Sequence, residues 1–178
     1  MRDNGNIVLV GSMGAGKSAV GRVLASLLGR VFLDLDDRIE EVAGMRIAEI
    51  FAVDGEAGFR ALESRALAVA LARPGQVIAT GGGAVLDAGS RAAMRAFGTV
   101  VYLQTDPQEQ LRRVAGCTGR PLLDVDNRSQ RLADLQAQRE PLYMGVADLQ
   151  FDTTHHTPAD VATALAAMLA TFQQAQSA

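Results

Sequence analysis

Eight consecutive residues near the start of the chain constrain its fold more than any other feature. Residues 11–18 read GSMGAGKS and match every position of the phosphate-binding loop, or P-loop, pattern G-x-x-x-x-G-K-[ST]. Glycines let backbone N–H groups turn inward around phosphate oxygens without a clash from Cβ, and a following helix adds its positive N-terminal end. A β-branched run precedes the loop, and apolar residues at helical spacing follow it. The sequence therefore predicts a strand–loop–helix unit that binds the phosphates of a nucleotide.

Two side chains of this loop have separate predicted tasks. The compact ammonium of Lys17 can reach the β- and γ-phosphates as a point charge, which makes Lys17 a candidate catalytic residue. The Ser18 hydroxyl can bind Mg²⁺. The candidate nucleotide-binding residues here are Gly14, Ala15, Gly16, Lys17, Ser18 and Ala19.

The rest of the chain alternates short apolar runs with longer segments of helical period. The candidate strands are IVLV (7–10), VFL (31–33), VIA (77–79), VVYL (100–103) and the weaker LQF (149–151). Asp106 and Thr157 each precede a proline and are candidate helix N-caps. Continuous apolar strands separated by helices predict an α/β fold, with a parallel sheet covered on both faces.

The composition argues against several other classes of protein. A chain of 178 residues fits one domain, and a net charge of −3 with no Trp argues against an extended nucleic-acid surface. Its single cysteine, Cys117, rules out an internal disulfide. No apolar stretch reaches the roughly 18–20 residues that span a bilayer, and the first residues lack the apolar core of a signal peptide. We therefore expect a cytoplasmic protein with no nucleic-acid and no membrane partner.

Three acidic residues follow the second candidate strand. Asp34 and Asp36 would lie on the same side because side chains alternate along a strand, and the carboxyl ends of strands line the ligand crevice of such sheets. Asp34 could then bind Mg²⁺ through water, and Asp36 could contact a substrate hydroxyl. The alternative is that these acids cap a helix that starts near Arg38, and capping is the interpretation that we favour for Asp37.

Two further features could belong either to a substrate site or to ordinary structure. Arg60 lies one helical turn before Glu63, so the two could form an exposed ion pair. Gly81, Gly82 and Gly83 directly follow a buried candidate strand, at the same edge of the sheet as the P-loop. Three glycines there suggest close approach of the backbone to a ligand, and the alternative is a tight turn into the next helix.

The whole set of motifs resembles the shikimate kinase family of small P-loop kinases. The matching segments are GSMGAGKS (11–18), LDLD (33–36), FR with Glu63 (59–63), TGGG (80–83), RPLL (120–123) and REPLY (139–143). They span nearly the whole chain, and together they are much more specific than the P-loop alone. The resemblance implies a three-layer, nucleoside-monophosphate-kinase-like fold with five parallel strands in the order 2-3-1-4-5.

The resemblance also implies roles for the residues of the substrate side. Asp36 would bind ring hydroxyls of shikimate and act as the base for its 3-hydroxyl, and Asp34 would support Mg²⁺ through water. Arg60 and Arg139 would hold the substrate carboxylate with their planar guanidinium groups. The glycines at 81–83 would contact the substrate through the backbone. The substrate-binding region would extend over about residues 34–63 of a single kinase domain.

Other implied roles concern ATP. Arg120 would lie on a mobile lid at about residues 115–127, move over the phosphates and offset developing charge. Arg113 and Pro158 would flank the adenine. The implied activity is transfer of the γ-phosphoryl group of ATP to the 3-hydroxyl of shikimate, with Mg²⁺ as cofactor. The enzyme would be a monomer that acts in the pathway to chorismate and aromatic amino acids.

Other functions are compatible with parts of the pattern. A gluconate kinase of similar build could also use arginines for its carboxylate, although the glycine run and the segment at 139–141 favour shikimate. A GTP-binding switch would need an Asn-Lys-x-Asp motif, which cannot exist here because Lys17 is the only lysine. A catalytically inactive nucleotide-binding module would not need the candidate Mg²⁺, base and lid residues.

Two smaller features have no assigned role. His155 and His156, just before the last helix, are interpreted as part of a solvated loop or of the adenine site, because no third ligand for a metal accompanies them. Cys117, in the expected lid, is interpreted as a passive small residue.

Overall fold

The computed structural model describes residues 5–115 and 127–177 of the chain. In this part, five strands form a parallel sheet in the order β2-β3-β1-β4-β5. The strands are β1 (Asn6–Val10), β2 (Val31–Asp34), β3 (Gln76–Ala79), β4 (Gly98–Gln104) and β5 (Leu149–Asp152). The α/β fold, all five expected strands and the expected strand order are confirmed.

Helices cover both faces of this sheet. Over the described residues they are α1 (Lys17–Leu28), α2 (Leu35–Ala43), α3 (Ile47–Leu71), α4 (Ala88–Phe97), α5 (Pro107–Val114), α6 (Arg128–Val146) and α7 (Pro158–Ser177). Alternate residues of β1 face opposite layers: Val8 and Val10 pack in a core cluster with α2, α3, α4 and α6, whereas Ile7 and Leu9 pack with α1 and α7. Since both faces of β1 are buried, residues 7–10 form a continuous apolar run, which is the pattern that predicts a buried strand.

The start of α2 differs from the expectation. The helix begins at Leu35 rather than near Arg38, because the carboxylate of Asp34 is its N-cap and accepts a hydrogen bond from the backbone N–H of Asp36 at 3.1 Å. Asp36 therefore lies in the first helical turn and not on the strand. The capping role favoured for Asp37 is wrong, since Asp34 holds the N-cap position and Asp37 lies in the first turn. The exposed side chain of Asp37 instead forms an ion pair with Arg22 at 3.8 Å.

Helix α3 is interrupted by a kink. It begins at Ile47, and Gly55 within it adopts φ +69° and ψ −176°. This positive φ is accessible to glycine without steric cost, so Gly55 divides the helix into two parts. The second part carries Arg60 and Glu63 toward the carboxyl edge of the sheet.

Most of the expected lid lies outside the described residues. Arg120 and Cys117 both fall within residues 116–126, which the structure does not describe. At its borders, Ala115 follows α5, and Asn127 caps α6 by accepting a hydrogen bond from Gln130 N at 3.3 Å. Among the helices of residues 5–115 and 127–177, none has the length and apolar character required to cross a membrane.

Candidate active site

The P-loop connects β1 to α1 and has the backbone conformation that its glycines allow. Gly14 and Gly16 adopt φ +83° and +89°, in the region that glycine enters without strain. A Cβ on Gly11 would lie 2.5 Å from the carbonyl oxygen of Leu103, so this position also requires glycine. The ammonium of Lys17 donates to the carbonyl of Gly11 at 2.8 Å and to another loop carbonyl at 2.9 Å. Its charge is therefore held over the concave side of the loop, beside the N-terminus of α1.

The structure brings Ser18 and Asp34 together next to this loop. The Ser18 hydroxyl donates to Oδ2 of Asp34 at 2.5 Å, while Oδ1 caps α2. Across residues 5–115 and 127–177, no group of three or more His, Cys, Asp or Glu side chains forms a metal cage. One hydroxyl and one carboxylate match the way Mg²⁺ binds, because this ion keeps several waters and takes further oxygens from phosphates. The predicted pair Ser18 and Asp34 therefore fits Mg²⁺.

The glycine run lies where four of the candidate side chains meet. A Cβ on Gly81 would lie 2.5 Å from Oε1 of Glu63 and 3.0 Å from Oδ1 of Asp36. A Cβ on Gly83 would overlap the guanidinium of Arg60. A Cβ on Gly82 would lie 3.5 Å from Nη1 of Arg139. The run also forms a turn, with Ala84 N donating to Gly81 O at 3.2 Å, as the alternative interpretation of the glycines expects.

The pair of Arg60 and Glu63 is buried rather than exposed. Arg60 Nη1 donates to Glu63 Oε2 at 2.7 Å, and the side chains are only 19% and 3% exposed. Burial raises the pKa of Glu63, and the opposing charge of Arg60 offsets part of this effect. Two guanidinium Nε donors, those of Arg60 and Arg139, are buried without a hydrogen-bond partner among the described residues. Because buried donors are normally paired, these atoms fit a bound planar anion such as a carboxylate.

Tyr143 is a site residue to which the sequence assigned no role. It lies one turn after Arg139 on α6, and its hydroxyl donates to the Gly82 carbonyl at 2.5 Å. Burial raises the pKa of Tyr143 to about 12, although hydrogen bonding to Arg139 and Ser12 lowers it. The phenol therefore remains a hydrogen-bond donor throughout the physiological pH range. The spacing of four residues between Arg139 and Tyr143 was the available signal that both face the same way.

At the expected adenine site, the structure has a cavity of about 510 Å³ that P-loop residues help to line. Arg113 and Pro158, both predicted to flank adenine, line it, and so do His155 and His156. The guanidinium of Arg113 donates to the backbone carbonyl of Thr153 at 2.8 Å and to that of Gly14 at 3.3 Å. Arg113 thus joins the P-loop to the segment before α7.

Comparison with known proteins gives matches along nearly the whole chain. The family model described as shikimate kinase matches residues 13–170. A shikimate kinase of Stenotrophomonas maltophilia (strain K279a) is 48% identical over 171 residues, which are 96% of this chain and 95% of that protein. The structure of shikimate kinase from Acinetobacter baumannii in complex with shikimate is 44% identical, has a TM-score of 0.92 and covers 93% of each chain. The structure of shikimate kinase from Bacteroides thetaiotaomicron is 31% identical, with a TM-score of 0.85 over 92% of this chain and 97% of that one.

Proposed function

Because the chain belongs to the shikimate kinase family, we propose that it binds shikimate at the glycine run and phosphorylates its 3-hydroxyl with ATP. It is an ATP-using kinase of the route to chorismate and aromatic amino acids, as the sequence motifs indicated. The observation that carries the proposal is the convergence of two unsatisfied arginine donors and Asp36 on residues 81–83, at the same sheet edge as the P-loop.

On the substrate side, Arg60 and Arg139 would hold the carboxylate, and the backbone at 81–83 would contact the ring. Asp36 would accept the proton of the 3-hydroxyl as that oxygen forms a bond to the γ-phosphorus. The bond from phosphorus to the bridging β-phosphate oxygen breaks, which leaves ADP and shikimate 3-phosphate. Because direct phosphoryl transfer requires little covalent chemistry from the protein, catalysis would come from alignment of the two substrates and from stabilisation of charge.

On the ATP side, the P-loop would bind the phosphates and Lys17 would stabilise charge on the β- and γ-phosphates. Arg113 and Pro158 would flank adenine in the 510 Å³ cavity. Arg120, outside the described residues, would act from a lid at about residues 115–127 and help exclude water. The loop residues that we propose to contact ATP are Gly14, Ala15, Gly16, Lys17, Ser18 and Ala19.

We propose that Ser18 binds Mg²⁺ directly and that Asp34 binds it through water. A bound Mg²⁺ would neutralise charge that develops on the phosphate oxygens. Asp34 would keep its second task, because its other oxygen caps α2.

We also propose that the chain works as one domain and as a monomer in the cytoplasm, with substrate bound by about residues 34–63. The support is that the described candidate groups for both substrates come from this one chain. Light scattering after gel filtration should give a mass close to 18.8 kDa. A stable dimer would contradict the monomer.

The decisive experiment measures ADP release from Mg·ATP with shikimate, with gluconate and with buffer alone. We expect rapid release with shikimate only. Faster release with gluconate would favour a gluconate kinase, and equal rates in all three mixtures would leave an ATPase or an inactive nucleotide-binding module.

Replacing Gly83 with Ala should raise the KM for shikimate about tenfold and change kcat less, because a charge-assisted hydrogen bond contributes about 1.5–3 kcal/mol. The added methyl would displace the guanidinium of Arg60, which is the flexible end of its side chain, without a clash against backbone. Steady-state kinetics with shikimate varied tests this. Gly145→Ala is the matched control, since its Cβ would meet nothing within 4 Å. An unchanged KM in Gly83→Ala would contradict the position assigned to Arg60.

Replacing Arg139 and Arg120 with Ala should separate binding from turnover. Arg139→Ala removes a carboxylate contact present before reaction, so the KM for shikimate should rise about tenfold to a hundredfold. Arg120→Ala removes a charge needed as the phosphoryl group transfers, so kcat should fall about a hundredfold. Arg131→Ala, an exposed arginine on the same helix as Arg139, should change neither constant. Reversal of the two kinetic signatures would contradict the assigned roles.

A further inference from the structure

A chain of polar and aromatic contacts runs from the P-loop to the glycine run. Ser12 Oγ donates to the side-chain carbonyl of Gln136, and the amide nitrogen of Gln136 donates to the Tyr102 hydroxyl at 3.2 Å. The Tyr102 ring stacks on Tyr143, with centroids 5.1 Å apart and planes 25° from parallel. Tyr143 in turn donates to the carbonyl of Gly82.

The two ends of this chain belong to different binding sites. Ser12 lies within the phosphate-binding loop, whereas Gly82 and the adjacent Arg139 belong to the candidate shikimate site. The sites are also close in space, because a Cβ on Gly82 would lie 3.6 Å from the carbonyl oxygen of Gly11 and 3.6 Å from the Tyr143 hydroxyl. A continuous set of contacts therefore joins the P-loop to the glycine run.

Gln136 occupies the central position in this connection. Its amide offers one acceptor and two donors, so it can join two hydroxyl groups that would otherwise both need partners. It is half-buried and lies one turn before Arg139 on α6, with Tyr143 a further turn along. Tyr102 and Tyr143 are each only 1% exposed, so their positions are fixed by packing as well as by hydrogen bonds.

We propose that Gln136 is a positioning residue that couples the two sites, so that nucleotide on the P-loop tightens the binding of shikimate. The inference rests on the proposed function, since it takes the glycine run as the shikimate site. Phosphate binding would fix the loop and Ser12, and Gln136 would then hold the Tyr102–Tyr143 pair and the Gly82 carbonyl in the geometry that shikimate needs. By thermodynamic linkage, shikimate must tighten nucleotide binding by the same factor.

Isothermal titration calorimetry tests the proposal directly. The Kd of shikimate is measured without nucleotide and with saturating Mg·ADP, which cannot transfer a γ-phosphoryl group. For the unmodified protein we expect Mg·ADP to lower this Kd by about fivefold or more, within the usual range of coupling between sites. In Gln136→Leu, which keeps the side-chain size and removes the amide, we expect the ratio of the two Kd values to fall below about twofold.

The ratio distinguishes coupling from a merely structural role. A side chain that only supported the shikimate site would change the Kd of shikimate by the same factor with and without Mg·ADP. The ratio of the two Kd values would then be unchanged. Gln138→Leu is the matched control, because Gln138 is exposed on the same helix, and it should keep the full ratio. A full ratio in Gln136→Leu, or a ratio of one in the unmodified protein, would overturn the proposal.

Two further variants keep the test independent of how well Gln136→Leu folds. Ser12→Ala and Tyr102→Phe each remove one hydroxyl partner of Gln136, and both should also lower the ratio. The double variant Ser12→Ala/Gln136→Leu should lower the ratio no further than either single variant, because both substitutions remove the same hydrogen bond. Failure of the unmodified protein to bind shikimate at all would instead overturn the proposed function, and the coupling with it.

Discussion

Replacing Lys17 with Arg is expected to leave the protein folded and to lower kcat about a thousandfold. Preorganised charges aimed at the transition state contribute about 10²–10³ in rate for each donor removed. Lys17 holds its ammonium over the loop through two backbone carbonyls, at 2.8 and 2.9 Å. A guanidinium is a wider planar group that cannot make the same compact approach beside the loop. ADP release at saturating substrates measures the loss, and thermal unfolding measures the fold.

The matched control for this variant is Arg22→Lys on the same helix. The Arg22 side chain is 61% exposed and makes a 3.8 Å ion pair with Asp37, a type of contact that contributes about 1 kcal/mol or less. Its turnover should match that of the unmodified protein. Turnover near the normal value in Lys17→Arg would refute the role of the lysine.

Asp36→Asn is expected to lower kcat by about 10²–10⁴, because a general base contributes a factor of this size. The carboxamide has the shape of the carboxylate but cannot take the proton of the attacking hydroxyl. A Cβ on Gly81 would lie 3.0 Å from Oδ1 of Asp36, so this oxygen is already at the glycine run. Rapid-quench measurement of a single turnover would isolate the chemical step from product release.

Asp37→Asn provides the comparison, since Asp37 is the next residue on α2 and is exposed to solvent. It should keep normal kinetics. Calorimetry should also show that Asp36→Asn still binds shikimate, with Kd changed far less than kcat. A loss of less than tenfold in the single turnover would exclude Asp36 as the base.

The parts of this structure that could be predicted are those encoded by neighbouring residues. The P-loop needs eight consecutive positions and two flanking elements, and the central strands contain continuous apolar runs because both of their faces are buried. The candidate substrate residues Arg60, Arg139 and Gly82 are implied by a resemblance that spans the chain. Spacing alone gave no basis for placing them together.

The parts that could not be predicted depend on contacts between distant residues. The bond between Ser12 and Gln136 joins positions 124 apart in the chain, and no local pattern indicates it. The Arg60–Glu63 spacing is equally compatible with an exposed pair, and its burial follows from packing against the glycine run. Helix α2 starts early because one carboxylate oxygen of Asp34 caps it. The other oxygen accepts a hydrogen bond from Ser18, and this second contact requires the start of α1 to lie against the end of β2.

Lys17 gives this chain an unusual chemical property. Of the 17 Lys and Arg residues in the sequence, 16 are arginines. The chain therefore carries a single side-chain amine, that of Lys17, which lies in the P-loop. Reagents that acylate amines can therefore modify just that side chain and the terminal amino group. A nucleotide whose phosphates contact the ammonium would shield it, so the extent of acylation becomes a direct reporter of P-loop occupancy, without any engineered label.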